Sequence, residues 1–287
     1  MQGQQAALSQ EIRIAAPAAT QPEDLADLDA RLTASGVVIA DLDSGQTLFE
    51  RNVDVPRPMA SLTKLMTALL IVEKHGLHEI VTVPRDIDDV QGTVAHLPAG
   101  EQFTVGDLLS ALLIMSANDA AVTLAEFHSG SVENFVDAMN TRAVELGLSD
   151  TSYENPAGLD APLQQSSPRD LAWLAMFTMR FPEIEERMSS PRVNIISIAG
   201  KTISLYHTHQ LIGEENPLAE DDGVDTVVQA GPSDRVFVRA GKTGTTDAAG
   251  QCLLSIVEAN GRRYIAILLH SRDRYADMQQ VLKILSQ

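Results

Sequence analysis

Asn260-Gly261 lies between two apolar runs, Leu253-Leu254-Ser255-Ile256-Val257 and Tyr264-Ile265-Ala266-Ile267-Leu268-Leu269. A two-residue Asn-Gly connection takes a turn with positive φ at both positions, and the twist of that turn matches two antiparallel strands. The end of the chain is therefore read as a β-hairpin. A second hairpin is expected near the start. Val37-Val38-Ile39-Ala40 and Thr47-Leu48-Phe49-Glu50 are strand-like, and Asp43-Ser44-Gly45 between them supplies turn chemistry. Phe237-Val238-Arg239-Ala240-Gly241-Lys242-Thr243 adds a strand ahead of the terminal hairpin. Strand-rich ends with helical patterns between them predict an α+β fold, an αβα sandwich. One antiparallel sheet is built from both chain ends and flanked by helices, with a mainly helical subdomain inserted.

The helical signals are local. Asp24 to Leu32 places Leu25, Leu28 and Leu32 on one face. Thr104 can cap a helix through Leu108, Leu109 and Leu112, and Ser131 another with Phe135, Met139 and Ala143 inward. Ser167-Pro168 joins a cap to proline at the first helical position. Asp277 to Leu285 reads as a closing helix. Residues 1–22, rich in Gln, Ala and Pro, read as a loosely ordered leader. Residues 23–287 read as one domain, its sheet region about 23–57 and 235–287 and its helical region about 58–234.

The 287 residues can bury a large core. A net charge of −18, from 21 basic and 39 acidic residues, argues against nucleic acid and anionic membrane surfaces as partners. No apolar run reaches the roughly 18 residues of a membrane helix. Asp86-Ile87-Asp88-Asp89 and Glu220-Asp221-Asp222 read as solvated loops. One cysteine, Cys252 in a strand-like run, excludes an internal disulfide and reads as a small buried hydrophobe. Met1-Gln2-Gly3-Gln4-Gln5 lacks the basic start and apolar core of a signal peptide.

Ser61-Leu62-Thr63-Lys64 heads the apolar run Leu65-Met66-Thr67-Ala68-Leu69-Leu70-Ile71-Val72. Residues three apart share a helix face, so a hydroxyl and an amine stand side by side where backbone N–H groups are unpaired. A nucleophile, a base and an electrophilic cradle then fall within one turn. Ser116-Ala117-Asn118 is placed between helices and Lys242-Thr243-Gly244 on a strand. Taken alone, Ser61 is a helix cap and Ser116-Ala117-Asn118 a helix start. A Lys-Thr-Gly match arises by chance roughly once in a few thousand residues. The three occur here in the order used by acyl-serine penicillin-recognising enzymes.

The likeness extends beyond these triplets. Pro58-Met59-Ala60-Ser61-Leu62-Thr63-Lys64-Leu65-Met66-Thr67-Ala68 and Leu112-Leu113-Ile114-Met115-Ser116-Ala117-Asn118-Asp119-Ala120-Ala121 resemble segments of the D-alanyl-D-alanine carboxypeptidases, the low-molecular-mass penicillin-binding proteins. So do Asn155-Pro156-Ala157-Gly158-Leu159-Asp160 and the run from Gly241 to Leu253. The resemblance covers roughly residues 35 to 272 and is weakest from 190 to 235. It implies the serine β-lactamase/transpeptidase-like fold and a substrate ending in D-Ala-D-Ala. It also implies acylation by β-lactams and work outside the cytoplasmic membrane, with an export signal removed. No cofactor, metal or membrane anchor is expected.

On this resemblance Ser61 is the nucleophile and Lys64 its general base. An ordinary lysine is protonated at neutral pH, so Lys64 must be desolvated or placed beside another cation, for which Lys242 is the candidate. Ser116 is expected to bridge Lys64 and Lys242 and to carry a proton to the leaving amine. Asn118 is expected to accept the substrate amide hydrogen and to fix Lys64. Lys242, Thr243 and Thr245 are expected to hold the substrate carboxylate, with Gly244 letting substrate backbone lie against the strand edge. The N–H groups of Ser61 and Thr245 form the expected oxyanion hole. Thr245 stands where many carboxypeptidases of the group carry histidine.

His207 and His209 fall in a loop expected beside the cleft, and as metal ligands they lack a third partner at a known spacing. Three other readings share the acyl-serine chemistry: a D,D-endopeptidase acting on cross-links, a β-lactamase and a non-catalytic penicillin sensor. Class A β-lactamases deacylate through a Glu-x-x-Leu-Asn glutamate. Glu154 is present in Tyr153-Glu154-Asn155-Pro156-Ala157-Gly158-Leu159, but that pattern is not. No Gly-x-Ser-x-Gly elbow occurs.

Overall fold

The structure is a computed structural model that describes residues 22–213 and 236–286. Residues 1–21 of the expected leader and the acidic run Glu220–Asp222 lie outside the described residues.

The chain opens with α1 (Pro22–Arg31), β1 (Gly36–Asp41) and β2 (Thr47–Arg51). A tight helical turn (Ala60–Thr63) leads into α2 (Lys64–Lys74), followed by β3 (Ile80–Thr82), β4 (Gln102–Thr104) and α3 (Val105–Leu113). Next come α4 (Asn118–Ser129), α5 (Val132–Glu145), α6 (Pro168–Thr178), α7 (Pro182–Met188), β5 (Arg192–Ile196) and β6 (Thr202–Tyr206). The described chain ends with β7 (Val236–Thr246), β8 (Gly250–Ala259), β9 (Arg262–Ser271) and α8 (Arg274–Leu285).

Five strands from the two ends form one sheet, ordered β2-β1-β9-β8-β7 and antiparallel throughout. The β8–β9 turn is Asn260-Gly261, with φ of 53° and 73°, the conformation that an Asn-Gly hairpin requires. Alternation divides the sheet between two cores. Val37, Ile39, Leu253 and Val257 face a layer with Leu28, Met278 and Val281 of α1 and α8. Val38, Ala40, Leu254 and Ile256 face the larger core built on α2, α3 and α6. Residues Leu65 to Ile71 of α2 are all buried, so this helix is enclosed rather than amphipathic.

The caps follow the sequence. Thr104 and Asp107 form a capping box on α3, Ser131 caps α5, and Ser167 caps α6 with Pro168 next to it. The closing helix begins three residues earlier than expected because Asp273 accepts Tyr275 and Ala276 N–H groups. The mainly helical region also holds two small two-stranded sheets, β3–β4 and the hairpin β5–β6, for which the sequence reading names no strands. Three-residue β3 and β4 carry too little pattern to read. The alternation Arg192-Val193-Asn194-Ile195 and Thr202-Ile203-Ser204-Leu205 is a legible strand signal, and Ile195 and Leu205 are the buried members.

Asp277 ties the chain ends together. Its buried carboxylate accepts from Thr33 N (2.7 Å), Ala34 N (2.9 Å), Thr33 Oγ1 (2.9 Å) and Ser271 Oγ (2.6 Å). Removing it orphans several buried donors, so Asp277→Ala is expected to destabilise by about 3 kcal/mol, with Asp277→Asn losing less. Urea unfolding at constant m-value measures this. An unshifted midpoint refutes the role assigned to Asp277.

Candidate active site

Ala60 adopts a left-handed backbone (φ 48°) just before Ser61, a strained conformation for a residue with a side chain. The turn is held as Thr63 Oγ1 donates to Ala60 O (2.9 Å). Ser61 thus stands half-buried at the entry to α2, with Lys64 one turn on and fully enclosed. Lys64 Nζ lies 3.0 Å from Ser61 Oγ, 2.7 Å from Asn118 Oδ1 and 2.6 Å from Ala157 O. Two of these partners can only accept. The Ser61 hydroxyl alone can also donate. A neutral amine, with two N–H groups and one lone pair, fits the set by donating to Asn118 and Ala157 and accepting from Ser61.

Burial pushes the Lys64 ammonium down to about 7, with Asp119 opposing part of that shift. Burial also holds Lys242 well below the ordinary lysine range, with Lys64 and Arg274 adding to it. For Lys64, desolvation is the lowering cause, where the sequence left desolvation and the Lys242 cation both open; cation crowding adds to the shift of Lys242 alone.

Ser116 lies between α3 and α4 with φ 63°, a second strained non-glycine residue at the site. Its loop is pinned by Asn118 N donating to Thr93 O (2.7 Å) and by Ala95 and Leu97 N–H groups on the Asp119 carboxylate. Ser116 Oγ accepts from Lys242 Nζ at 2.6 Å. Among the described hydrogen bonds it makes none to Lys64, so the expected bridge between the lysines is corrected to a Ser116–Lys242 pair. The three positions around the Lys64 nitrogen are already filled. Asn118 does fix Lys64, while its Nδ2 donates to Gln91 O (2.7 Å). A substrate N–H would have to share Oδ1 with Lys64.

The third motif lies on β7, an edge strand. Lys242 Nζ also donates to Thr243 O (2.9 Å), and Thr243 Oγ1 donates to Thr208 Oγ1 (2.6 Å). Thr245 is exposed near the end of the strand. Gly244 also meets a second requirement. A Cβ there would lie 2.8 Å from Ser61 N and 2.9 Å from Ala60 Cβ, so the missing side chain makes room for the turn carrying the serine.

Three groups escaped the sequence reading. The Ala157 carbonyl carries no side-chain signal. Thr208 is tied by its N–H to Ile114 O (3.1 Å) and by its carbonyl to Tyr275 OH (3.2 Å). Arg274 donates from one nitrogen to Gly244 O (3.0 Å) and Cys252 O (3.2 Å). His207 and His209, expected beside the cleft, are instead fully buried. His209 Nε2 pairs with Ser255 Oγ (2.8 Å), and its ring packs against Gly241. Burial lowers His207 to about 3 and His209 well below its usual value, so both are neutral. Among the described residues no three His, Cys, Asp or Glu side chains form a metal-binding group.

With this geometry established, similarity to known proteins is informative. The sequence profile described as D-alanyl-D-alanine carboxypeptidase matches residues 19–273. The D-alanyl-D-alanine carboxypeptidase DacF of Bacillus subtilis is 32% identical over 257 residues, which span 88% of this chain and 61% of that protein. A D-alanyl-D-alanine endopeptidase of Pseudomonas aeruginosa is 27% identical over 279 residues, 96% of this chain and 84% of that one. The crystal structure of a D-alanyl-D-alanine carboxypeptidase from Mycobacterium tuberculosis superposes with a TM-score of 0.75 at 26% identity, covering 88% of this chain and 90% of that one. Profile, relatives and fold agree with the converging serine and lysines, and the chain belongs to the D-alanyl-D-alanine carboxypeptidase family.

Proposed function

We propose that this chain is a serine D,D-peptidase that removes the terminal D-alanine from peptidoglycan stem peptides ending in D-Ala-D-Ala, through an acyl-serine intermediate. It is acylated at the same serine by β-lactam antibiotics and works outside the cytoplasmic membrane, with residues 23–287 as one catalytic domain. The observation that carries the reading is the enclosed Lys64 amine, 3.0 Å from Ser61 Oγ with both other partners acceptors.

Lys64 takes the Ser61 proton as Oγ attacks the carbonyl carbon of the penultimate residue. The oxyanion is met by the N–H groups of Ser61 and of Thr245, at the free edge of β7. The scissile C–N bond breaks as Ser116 gives its hydroxyl proton to the leaving D-alanine nitrogen and recovers one from Lys242. Proton exchange with solvent as the product leaves returns Lys64 to its neutral form and the proton to Lys242. Lys242, Thr243 and Thr245 hold the terminal carboxylate. Water then cleaves the ester: neutral Lys64 takes a proton from the attacking water and returns it to Ser61 Oγ as the acyl group leaves.

A D,D-endopeptidase reading is favoured by one observation: the Pseudomonas aeruginosa relative so named aligns over most of both chains. A β-lactamase reading is not. Glu154 is exposed and its carboxylate accepts the Leu163 N–H. Incubation with a D-Ala-D-Ala peptide is expected to release D-alanine from the wild type and none from Ser61→Ala. A cross-linked muropeptide left intact in parallel excludes the endopeptidase. Penicillin binding without D-alanine release replaces the peptidase with a sensor.

A further inference from the structure

The turn Asn155–Gly158 touches both ends of the Ser61–Lys64 pair. Asn155 Oδ1 accepts the N–H groups of Ala157 (3.2 Å), Gly158 (2.7 Å) and Leu159 (3.0 Å), and its Nδ2 donates to Leu159 O (2.9 Å). One side chain thus folds the whole turn. Ala157 O, aimed by that fold, accepts from Lys64 Nζ at 2.6 Å. Gly158 (φ 86°) presses on the peptide before the nucleophile. A Cβ there would lie 2.0 Å from Ala60 O and 2.9 Å from Ser61 N. Below, Thr67 Oγ1 donates to Pro156 O (2.7 Å), and buried Gln164 donates to Thr63 Oγ1 (2.9 Å) and accepts Asn155 N (3.1 Å).

We infer that Asn155 is a positioning residue for acylation, an inference that rests on the proposed roles of Ser61 and Lys64. A neutral amine has three places around nitrogen. With both N–H groups taken by Asn118 Oδ1 and Ala157 O, the lone pair faces the Ser61 hydroxyl. Without Ala157 O the amine is free to rotate, presenting an N–H to Ser61 and turning the lone pair away. Asn155 contacts neither reacting atom and acts through the carbonyl it orients. The same fold keeps Gly158 against the Ala60–Ser61 peptide, which fixes the direction of the Ser61 N–H.

The test is acylation of the full chain by a chromogenic β-lactam, resolved into a limiting rate and a half-saturating concentration across pH. Asn155→Ala is expected to lower the limiting rate by about ten- to a hundredfold while half-saturation moves by less than about twofold, because orientation rather than ground-state contact is lost. Asn155→Asp keeps an acceptor for all three N–H groups and is expected to restore most of the rate at alkaline pH. Its acid limb should move to higher pH, since a nearby carboxylate favours the ammonium form of Lys64. A limiting rate in Asn155→Ala equal to wild type overturns the inference. So does an equal loss in both variants, or a change confined to the fraction of protein that reacts, which marks a folding role alone. If wild-type Ser61 is not acylated at all, the peptidase reading itself fails, an outcome read before either variant is compared.

Discussion

Lys64→Met is expected to acylate Ser61 on the order of a thousandfold more slowly than the wild type, the range lost when a positioned general base is removed. Ser61 stays in place, but its hydroxyl proton has no acceptor within reach. Lys64→Arg should not restore the rate, because a guanidinium remains protonated and has no lone pair to offer. The pH profile carries the same claim. Burial lowers Lys64 to about 7 by disfavouring its charged form. The neutral, competent fraction therefore grows as pH rises through that value and shrinks below it. Two pH units lower, acylation should be about a hundredfold slower than on the plateau. Stopped-flow labelling of wild type from pH 5 to 9 reads this limb directly. A flat profile, or normal labelling of Lys64→Met, removes Lys64 from the role of base.

Gly244→Ala is expected to lower acylation by about a hundredfold, the scale of a misplacement near 1 Å at a reacting atom. Its backbone is not in the left-handed region, so alanine fits conformationally and the effect is purely steric. The new Cβ would meet Ser61 N at 2.8 Å, Ala60 Cβ at 2.9 Å and Met59 O at 3.3 Å. Backbone rather than a flexible side chain must then yield, in the segment that carries the nucleophile and its N–H. Gly76→Ala is the control: a Cβ there makes only an ordinary 3.7 Å contact with Glu79. Unchanged labelling by Gly244→Ala would show that β7 and the serine turn can separate without loss, and would leave Gly244 only the expected substrate contact.

The two lysines also show why the site is costly to hold. Both are enclosed in the core, with their ordinary charged forms disfavoured. Ala60 and Ser116 add strained backbone beside the proposed nucleophile and in the loop that pairs with Lys242. These features work against the stability of the fold, and their clustering where the reacting groups meet is what a functional site leads one to expect.

Much of this was legible in the chain because the deciding physics is local. Asn260-Gly261 turns β8 into β9, and Ser167-Pro168 starts α6, through neighbours within a few residues. Alternation along β1 and β8 assigns side chains to two cores before either core is known. Ser61 and Lys64 share a face because a helix has a fixed pitch. The β5–β6 hairpin is legible too, from the alternation of Val193, Ile195, Ile203 and Leu205 with polar residues, against the mainly helical reading of residues 58–234. The β3–β4 pair was not, since three residues give no period to detect.

The sequence by itself determined the strand-rich ends, the helix caps and the three motifs whose side chains are proposed to react. Only the tertiary structure decided how those side chains are used. The Ala157 carbonyl reaches Lys64 across 93 residues, and Lys242 finds Ser116 across 126. Gly244 lies against the serine turn, and the two histidines lie in the core. Hydrogen-bond accounting, steric room and desolvation depend on atoms that meet in space, and those atoms are distant along the chain.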